Sequence, residues 1–394
     1  MIIRCKEIYT DKGAVDGYLV VEEGIIKAIE SASANLNVDV DASNQRIIPG
    51  IFDTHNHGVM GYALMSNQDN IDEVIKGYLK GCASHGVTSV LATAHPDIIK
   101  DVAKAAKETQ DGAKIVGIHS EGPYLSRVGE KGINTGYPDI DMDYVKKMVS
   151  DGEGLLKLVA IAPEIPQATE AIHYFVSQGV RCAFAHSDLD YDGALASFKQ
   201  GVTVATHTAN VMSGIHHRHM GGLGACLLDE DLWCEVICDG LHVNNEMLKL
   251  MFKVKPYEKF MMISDNVPIA GAPIGRYNLI GFLPVIVDDK GFCLSDTGRL
   301  CGSTKPVIYG ISNLVNNLSI PLETCLKMAA ENPAIVYETA DTKGTLTVGK
   351  DADFVIIDDS YNVLETYSEG RKVYDHLVDT DLFYQTFIDL CKED

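Results

Sequence analysis

The stretch Ile47-Ile48-Pro49-Gly50-Ile51-Phe52-Asp53-Thr54-His55-Asn56-His57-Gly58 carries an apolar run straight into a His-Asn-His end. Along a strand side chains alternate faces, so His55 and His57 point the same way and Asn56 points aside. Two imidazoles a few ångströms apart make half of a site for a divalent metal of the zinc or iron type. A His-x-His pair alone equally describes two ordinary histidines after a turn, so context decides. Further along, His95, Glu121, Glu164, His186, His207, Asp239 and Asp265 each stand a residue or two past an apolar run. Chance would not ordinarily gather so many of 13 histidines among 394 residues at such places.

The elements that must position these residues are apolar runs of strand length at 46–52, 88–93, 114–119, 158–162, 181–185, 202–206, 233–238 and 259–263. Stretches with helical periodicity lie between them, among them 70–85, 96–110, 166–179 and 189–200. Strand and helix in eightfold alternation predict an α/β fold, the (β/α)8 TIM-like barrel, whose chemistry sits on loops at the carboxyl ends of the strands. Every reactive residue named above falls at that end. Residues 1–46 differ: short alternating runs broken by Asp11-Lys12-Gly13 and Glu23-Gly24 predict small antiparallel strands with tight turns. Strand grammar returns at 343–358, which predicts a small β-sandwich domain from 1–46 plus 343–394 beside a catalytic barrel domain at 47–342. Within the barrel's last third, 281–295 reads as an inserted hairpin and 304–317 and 321–331 as helices, with a final helix around 379–391.

The formal net charge of −22 argues against nucleic acid and anionic membranes as partners, since both would repel this surface. A small anionic ligand remains open to a local basic cluster. Ten cysteines occur without a C-x-x-C pair, which predicts reduced thiols in a cytoplasmic protein. The first residues lack an apolar leader core, and no run reaches 18 apolar residues, so neither export nor a membrane span is expected.

His55 and His57 from the first strand, Glu121 from the third, His186 from the fifth and His207 from the sixth should converge near the barrel axis. Four imidazoles and a carboxylate suffice for two metals bridged by Glu121. His119 shares a face with Glu121 but lies deeper, which favours a packing histidine or one that supports a ligand over a further ligand. Glu164 in Ala162-Pro163-Glu164 reads as structural, and His95 stands before a proline in a loop. Asp265, past the eighth strand, is either a helix N-cap or the general acid/base beside a metal-activated water; its place facing the metals favours the second. His216-His217-Arg218-His219 and His242 form a basic rim in an acidic chain, a candidate anion site in which Arg218 offers a bidentate fork. The alternative is a solvated loop.

The chain resembles the N-acetylglucosamine-6-phosphate deacetylases of the amidohydrolase superfamily over nearly its whole length. The resemblance rests on the segment Pro49 to Gly58, His119-Ser120-Glu121-Gly122-Pro123-Tyr124-Leu125, Ala185-His186-Ser187, and Thr206-His207-Thr208-Ala209-Asn210-Val211-Met212. His216-His217-Arg218, Asp239-Gly240-Leu241-His242-Val243, Ser264-Asp265 and the Lys343 to Asp353 segment extend it. It implies that Glu121, His186 and His207 hold a primary divalent metal and that His55 and His57 allow a second, zinc first, with iron, cobalt or manganese as alternatives. It further implies Asp265 as general base and acid. Ala209, Asn210, His217 and His242 would hold the sugar phosphate, and Arg218 would reach the substrate of a neighbouring subunit in a homodimer. Three positions depart from the family. Asn134, in Lys131-Gly132-Ile133-Asn134, stands where the family usually has the histidine that contacts the acetyl carbonyl, and it is the expected oxyanion donor here. Gly61-Tyr62-Ala63 and Thr304-Lys305-Pro306 also differ, and all three touch the substrate pocket. The implied reaction is deacetylation of an N-acetyl-hexosamine 6-phosphate, glucosamine before galactosamine. Another acyl or cyclic amide, or a non-catalytic sugar-phosphate-binding paralogue, stands as the alternative.

Overall fold

The structure, a computed structural model, describes residues 1–66, 70–108, 110–127, 137–277, 284–295, 298 and 300–384. Eight parallel strands, Ile51–Asn56, Val87–Thr93, Lys114–Glu121, Leu156–Ile161, Arg181–Phe184, Val202–Ala205, Trp233–Ile237 and Phe260–Ile263, pair in chain order. The last strand returns to the first: the Asp265 amide donates to the His55 carbonyl at 2.9 Å and the His57 amide to the Asn266 carbonyl at 2.8 Å. A helix follows each strand, from Ile71–Ser84 to Val307–Leu318. Each is amphipathic or apolar enough to bury one face on the barrel wall, as Ile75, Leu79 and Cys82 of the first and Ile172 and Phe175 of the fourth do. Polar residues mark the starts: Asp190 accepts from the Gly193 amide at 2.9 Å and Asn244 from the Met247 amide at 2.8 Å.

The eight expected runs are the eight strands, with one correction. The run at 46–52 is not one strand but the junction of two, Val40–Pro49 in the terminal sheet and Ile51–Asn56 in the barrel. Gly50 is the hinge. Its amide donates to the Asp353 carbonyl at 2.9 Å, and a Cβ there would lie 2.1 Å from Thr88 Oγ1 and 2.7 Å from Thr88 Cβ. Only glycine lets the chain pass so close to the second barrel strand.

Strands from both ends of the chain form a seven-stranded sheet. It runs from Arg371–Asp375 through Val363–Ser368, Phe354–Ile357, Val40–Pro49, Ile2–Thr10 and Gly13–Glu22 to Ile25–Ser31. The sheet rolls over a core of its own, containing Ile3, Ile8, Leu19, Ile26, Ile47, Phe354 and Ile356. Its Ile25–Ser31 edge meets the turn that leads into Phe354–Ile357, with the Ile26 amide on the Lys350 carbonyl at 2.9 Å. Of the expected strand segment at 343–358 only Phe354–Ile357 is a strand; the turns at Gly344 and Gly349, both with positive φ, break the rest.

The inserted hairpin is a three-stranded sheet of Gly275–Tyr277, Val285–Val287 and Cys293–Ser295. The helix expected from Pro321 continues to Val336, passing through a wider π turn at Lys327–Glu331. Its end plugs the barrel floor, where Ala334, Val336 and Tyr337 pack with Phe52, Leu91, Leu158 and Met261. Residues 379–384 are not helical, and the remainder of the expected last helix lies outside the described residues. Among the described residues no helix is long and apolar enough to cross a membrane, and the eight buried cysteines are free thiols.

The junction yields a prediction. Gly50→Ala should destabilise the protein by about 1–3 kcal/mol through overpacking, read from its denaturant midpoint. Thr88→Ala in the same chain should recover only part of the loss, because the Thr88 Cβ is itself in the way. A Gly50→Ala protein as stable as the parent would show that the two strands are not pressed together here.

Candidate metal centre

Four imidazoles and one carboxylate meet at the carboxyl-end mouth of the barrel. His55 Nε2 lies 3.0 Å from His57 Nε2, and His207 Nε2 lies 3.1 Å from His186 Nε2. Glu121 stands between the pairs, with Oε1 3.0 Å from His207 Nε2 and 3.3 Å from His186 Nε2, and Oε2 3.1 Å from His57 Nε2. Two ligand triads result, His55-His57-Glu121 and Glu121-His186-His207, joined at the carboxylate. Asp265 Oδ1 lies 3.3 Å from His55 Nε2 and 3.4 Å from His57 Nε2, on the same side.

The backbone delivers these side chains in two ways. In the first strand the register slips between Asp53 and Asn56, which pair with Val90 and Ala92. Three residues thus span two on the neighbour, the signature of a bulge that re-aims a side chain. Phe52 and Thr54 face the barrel interior before it, and His55 and His57 reach the axis after it. The second way is a left-handed residue just past the strand: His186, His207 and Asp265 have φ of 46°, 30° and 49°. Such a conformation costs a non-glycine residue roughly 1–2 kcal/mol, and it swings each side chain across the mouth. Strain of this kind concentrates at functional sites.

The donor set fits a divalent cation. Two ring nitrogens about 3 Å apart repel as two acceptors or as two donors, so each imidazole pair needs a shared proton or a cation between its nitrogens. The charges agree. Burial lowers the His57 pKa, but hydrogen bonds to Asp265 and Glu121 outweigh it and hold it at about 10. Burial raises that of Asp265, yet the His55 charge and the His57 bond bring it down to about 2. Glu121 is held well below the usual carboxylate range against the same burial, by the His55 charge and by bonds to His186, His207 and His57. The cluster asks for positive charge at its centre. His186 is also set to ligate: its Nδ1 lies 2.8 Å from the Arg127 carbonyl, which only accepts, so the ring proton sits there and Nε2 keeps its lone pair.

The remaining expected residues sort themselves by contact. His119 packs edge-on against His55 with ring centroids 4.5 Å apart and its Nδ1 3.2 Å from Thr93 Oγ1; burial keeps it neutral. His95 Nδ1 accepts from the Asp97 amide at 3.3 Å, away from the cluster. Glu164 clasps three loops, taking bonds from Ser126 Oγ, from Ser187 Oγ at 2.7 Å and from the Asp188 amide at 2.8 Å. His242 Nδ1 is 2.7 Å from Asp239 Oδ2. Burial raises the Asp239 pKa, but the His242 bond and charge prevail and lower it. His216 and His219 exchange backbone bonds of 2.8 and 2.9 Å, a tight turn that lifts His217 and Arg218 into solvent at its tip. Asn210 stays close to His207, its side chain donating to that carbonyl at 3.3 Å, and Ala209 before it has φ 88°. Asn134 lies outside the described residues.

Sequence reasoning passed over two buried carboxylates. Asp53, wholly buried, accepts from Ser264 Oγ at 2.6 Å, the Ser264 amide at 3.1 Å and Asn56 Nδ2 at 3.1 Å, tying the first strand to the residue before Asp265. Glu235 sits inside the seventh strand and takes a 2.6 Å bond from Thr54 Oγ1. The signal was there: an acid inside an apolar strand must find partners when buried.

Comparison with known proteins decides the family. The Amidohydrolase family pattern matches residues 46–373. The chain belongs to the amidohydrolase family. Among its amidohydrolase relatives, the N-acetylglucosamine-6-phosphate deacetylase of Vibrio furnissii is 30% identical over 367 residues, 90% of either chain. The N-acetylgalactosamine-6-phosphate deacetylase of Escherichia coli O157:H7 is 28% identical, covering 94% of this chain and 98% of its own. In structure, this amidohydrolase is similar to the N-acetylglucosamine-6-phosphate deacetylase of Pasteurella multocida, with TM-score 0.83 and 28% identity over 94% of this chain and 98% of that one. It is equally similar, at TM-score 0.83 and 27% identity over 95% of this chain and 99% of the other, to a mutant of the Mycobacterium smegmatis N-acetyl-D-glucosamine-6-phosphate deacetylase solved with N-acetyl-D-glucosamine-6-phosphate.

Asp53→Ala should cost about 3 kcal/mol or more, because it strands three buried donors; urea unfolding measures it. Asp53→Asn, which keeps one acceptor oxygen, should fall between the two. A loss below about 1 kcal/mol for the alanine variant would contradict the tie between Asp53 and Ser264.

Proposed function

We propose that this protein is a metal-dependent hydrolase that deacetylates N-acetylglucosamine 6-phosphate to acetate and glucosamine 6-phosphate. The observation that carries the reading is the Glu121 carboxylate shared between two imidazole pairs, with Asp265 on the same side. In the proposed site Glu121, His186 and His207 would hold the primary ion, and His55 and His57 with Glu121 a second. One or two ions per subunit are expected, zinc first, with iron, cobalt or manganese as alternatives. Bound there, a divalent ion would polarise the amide carbonyl and acidify a water. Asp265 takes the proton of the attacking water and gives it to the departing amine, which needs the ionised carboxylate that the neighbouring imidazoles favour. Asn134 is assigned, on sequence position alone, as the amide donor to the developing oxyanion.

Ala209, Asn210, His217 and His242 are the proposed holders of the sugar phosphate, with His242 braced by Asp239. Arg218, at the tip of its exposed turn, is assigned to the phosphate in the neighbouring active site of a homodimer. The proposed division into a barrel domain at 47–342 and a small domain of 1–46 plus 343–394 follows the two separate cores. Free cysteines support a cytoplasmic location. A second reading, the galactosamine epimer as substrate, draws on the Escherichia coli relative, which spans nearly the whole chain.

The test is acetate release from N-acetylglucosamine 6-phosphate, its galactosamine epimer and the unphosphorylated sugar by protein reconstituted with each of several divalent metals. Turnover should require both metal and phosphate, and the ratio between epimers names the substrate. Asp265→Asn should lose roughly 10²–10⁴-fold in kcat with metal content unchanged, and Arg218→Ala should raise KM only for phosphorylated sugars. No acetate from any of the three sugars, with metal bound, would sink the proposal.

A further inference from the structure

His55 has two nitrogens and only one of them faces the proposed metal. Its Nε2 points into the cluster, 3.0 Å from His57 Nε2 and 3.3 Å from Asp265 Oδ1. Its Nδ1 points the other way, into the closed barrel, and the group it meets there is the Glu235 carboxylate, 3.7 Å away at Oε2. Both side chains are 0% exposed. Among the described residues neither His55 Nδ1 nor Glu235 Oε2 has another hydrogen-bond partner. Two buried polar atoms, one able to donate and one able only to accept, thus face each other alone. A separation of 3.7 Å is longer than a made hydrogen bond, which for a ring N–H on a carboxylate needs about 2.7–2.9 Å.

The surroundings direct the pair. Thr54 Oγ1 donates to Glu235 Oε1 at 2.6 Å and fixes the carboxylate's rotation, leaving Oε2 for His55. The bulge in the first strand is what allows neighbours in sequence, Thr54 and His55, to approach the same carboxylate. On its edge His55 meets His119 at 4.5 Å between ring centroids, which restricts ring tilt. The Glu235 carbonyl accepts from the Thr208 amide at 2.7 Å, so its own backbone is anchored beside the loop that follows His207.

We infer that Glu235 is a positioning residue for the metal centre: with an ion on the His55-His57 side its carboxylate would close the 3.7 Å gap to accept the Nδ1 proton of His55, and so hold the ring in the tautomer that presents Nε2 to that ion. The inference rests on the metal-centre reading above but not on the identity of the sugar. A histidine ligand whose far nitrogen bonds a carboxylate is a stronger and better oriented ligand, and loss of such a partner lowers metal affinity about 10–100-fold.

The experiment uses full-length protein carrying Glu235→Gln, titrated with Co²⁺ against a chelator while the visible spectrum is followed. Affinity on the His55-His57 side should fall about 10–100-fold while the His186-His207 side keeps its own, so the two binding steps draw apart. In Zn²⁺-loaded protein with ¹⁵N-labelled histidine, the far-downfield Nδ1 proton signal of His55 should move upfield in the variant. A folded Glu235→Gln protein with both affinities unchanged and that signal unmoved would overturn the inference, because a purely structural carboxylate predicts that result. If Glu235→Gln does not fold, Thr54→Val serves instead: it removes the group that orients the carboxylate, and the same affinity should drop severalfold. Unchanged affinity in Thr54→Val would then count against it. Parent protein that takes no ion on the His55 side overturns it as well. Parent protein that binds two ions but releases no acetate defeats the deacetylase reading and leaves this inference standing.

Discussion

Glu121 lies within 3.7 Å of His55, His57, His186 and His207 at once, with Oε2 turned to His57 and Oε1 to His186, His207 and, more distantly, His55. A carboxylate so buried survives only with positive charge beside it. Those four histidines arrive from the ends of three different strands, so no local segment could assemble them. What can is a closed ring of parallel strands, in which every strand end opens onto the same mouth. The ladder alone is not enough, however, because a regular strand end points its side chains along fixed alternating directions. The bulge before His55 and the left-handed residues at His186, His207 and Asp265 supply the missing rotations.

These departures from regular backbone are held from behind. Asp53 binds the first strand to Ser264 and so sets the distance between His55 and Asp265. The Arg127 carbonyl turns His186, and Glu164 fastens the loops that carry Ser126 and Ser187. Beneath them the floor is apolar: Phe52, Met261 and Tyr337 pack inside the barrel and keep the polar layer near its mouth. The rolled terminal sheet meets the barrel through Gly50, where the chain passes from one sheet to the other.

Much of this was legible because the relevant signals are local. Apolar runs of strand length between amphipathic stretches give the barrel directly, and a histidine or acid just past each run marks its active end. The period-two argument correctly set His55 and His57 on one side. It could not foresee the bulge, since a register slip depends on the neighbouring strand and leaves no mark in the run itself. For the same reason 46–52 read as one strand: Gly50 is a break only because Thr88 crowds it. Asp53 and Glu235 escaped notice because their partners, Ser264 and Thr54, lie 211 and 181 residues away. The tight turn of His216 to His219 was visible as a basic cluster, and the phosphate-binding role proposed for it rests on that sequence pattern and on the exposure of its tip.

The most direct measurement of the central claim is anomalous diffraction from crystals grown with Zn²⁺, which locates each ion without reference to activity. Two peaks flanking Glu121 are predicted, one bounded by His55 and His57 and the other by His186 and His207, with the stronger at the second. A single peak at His186 and His207 would keep the primary centre and reject the paired one. Zinc found elsewhere, or no peak in contact with Glu121, would contradict the account.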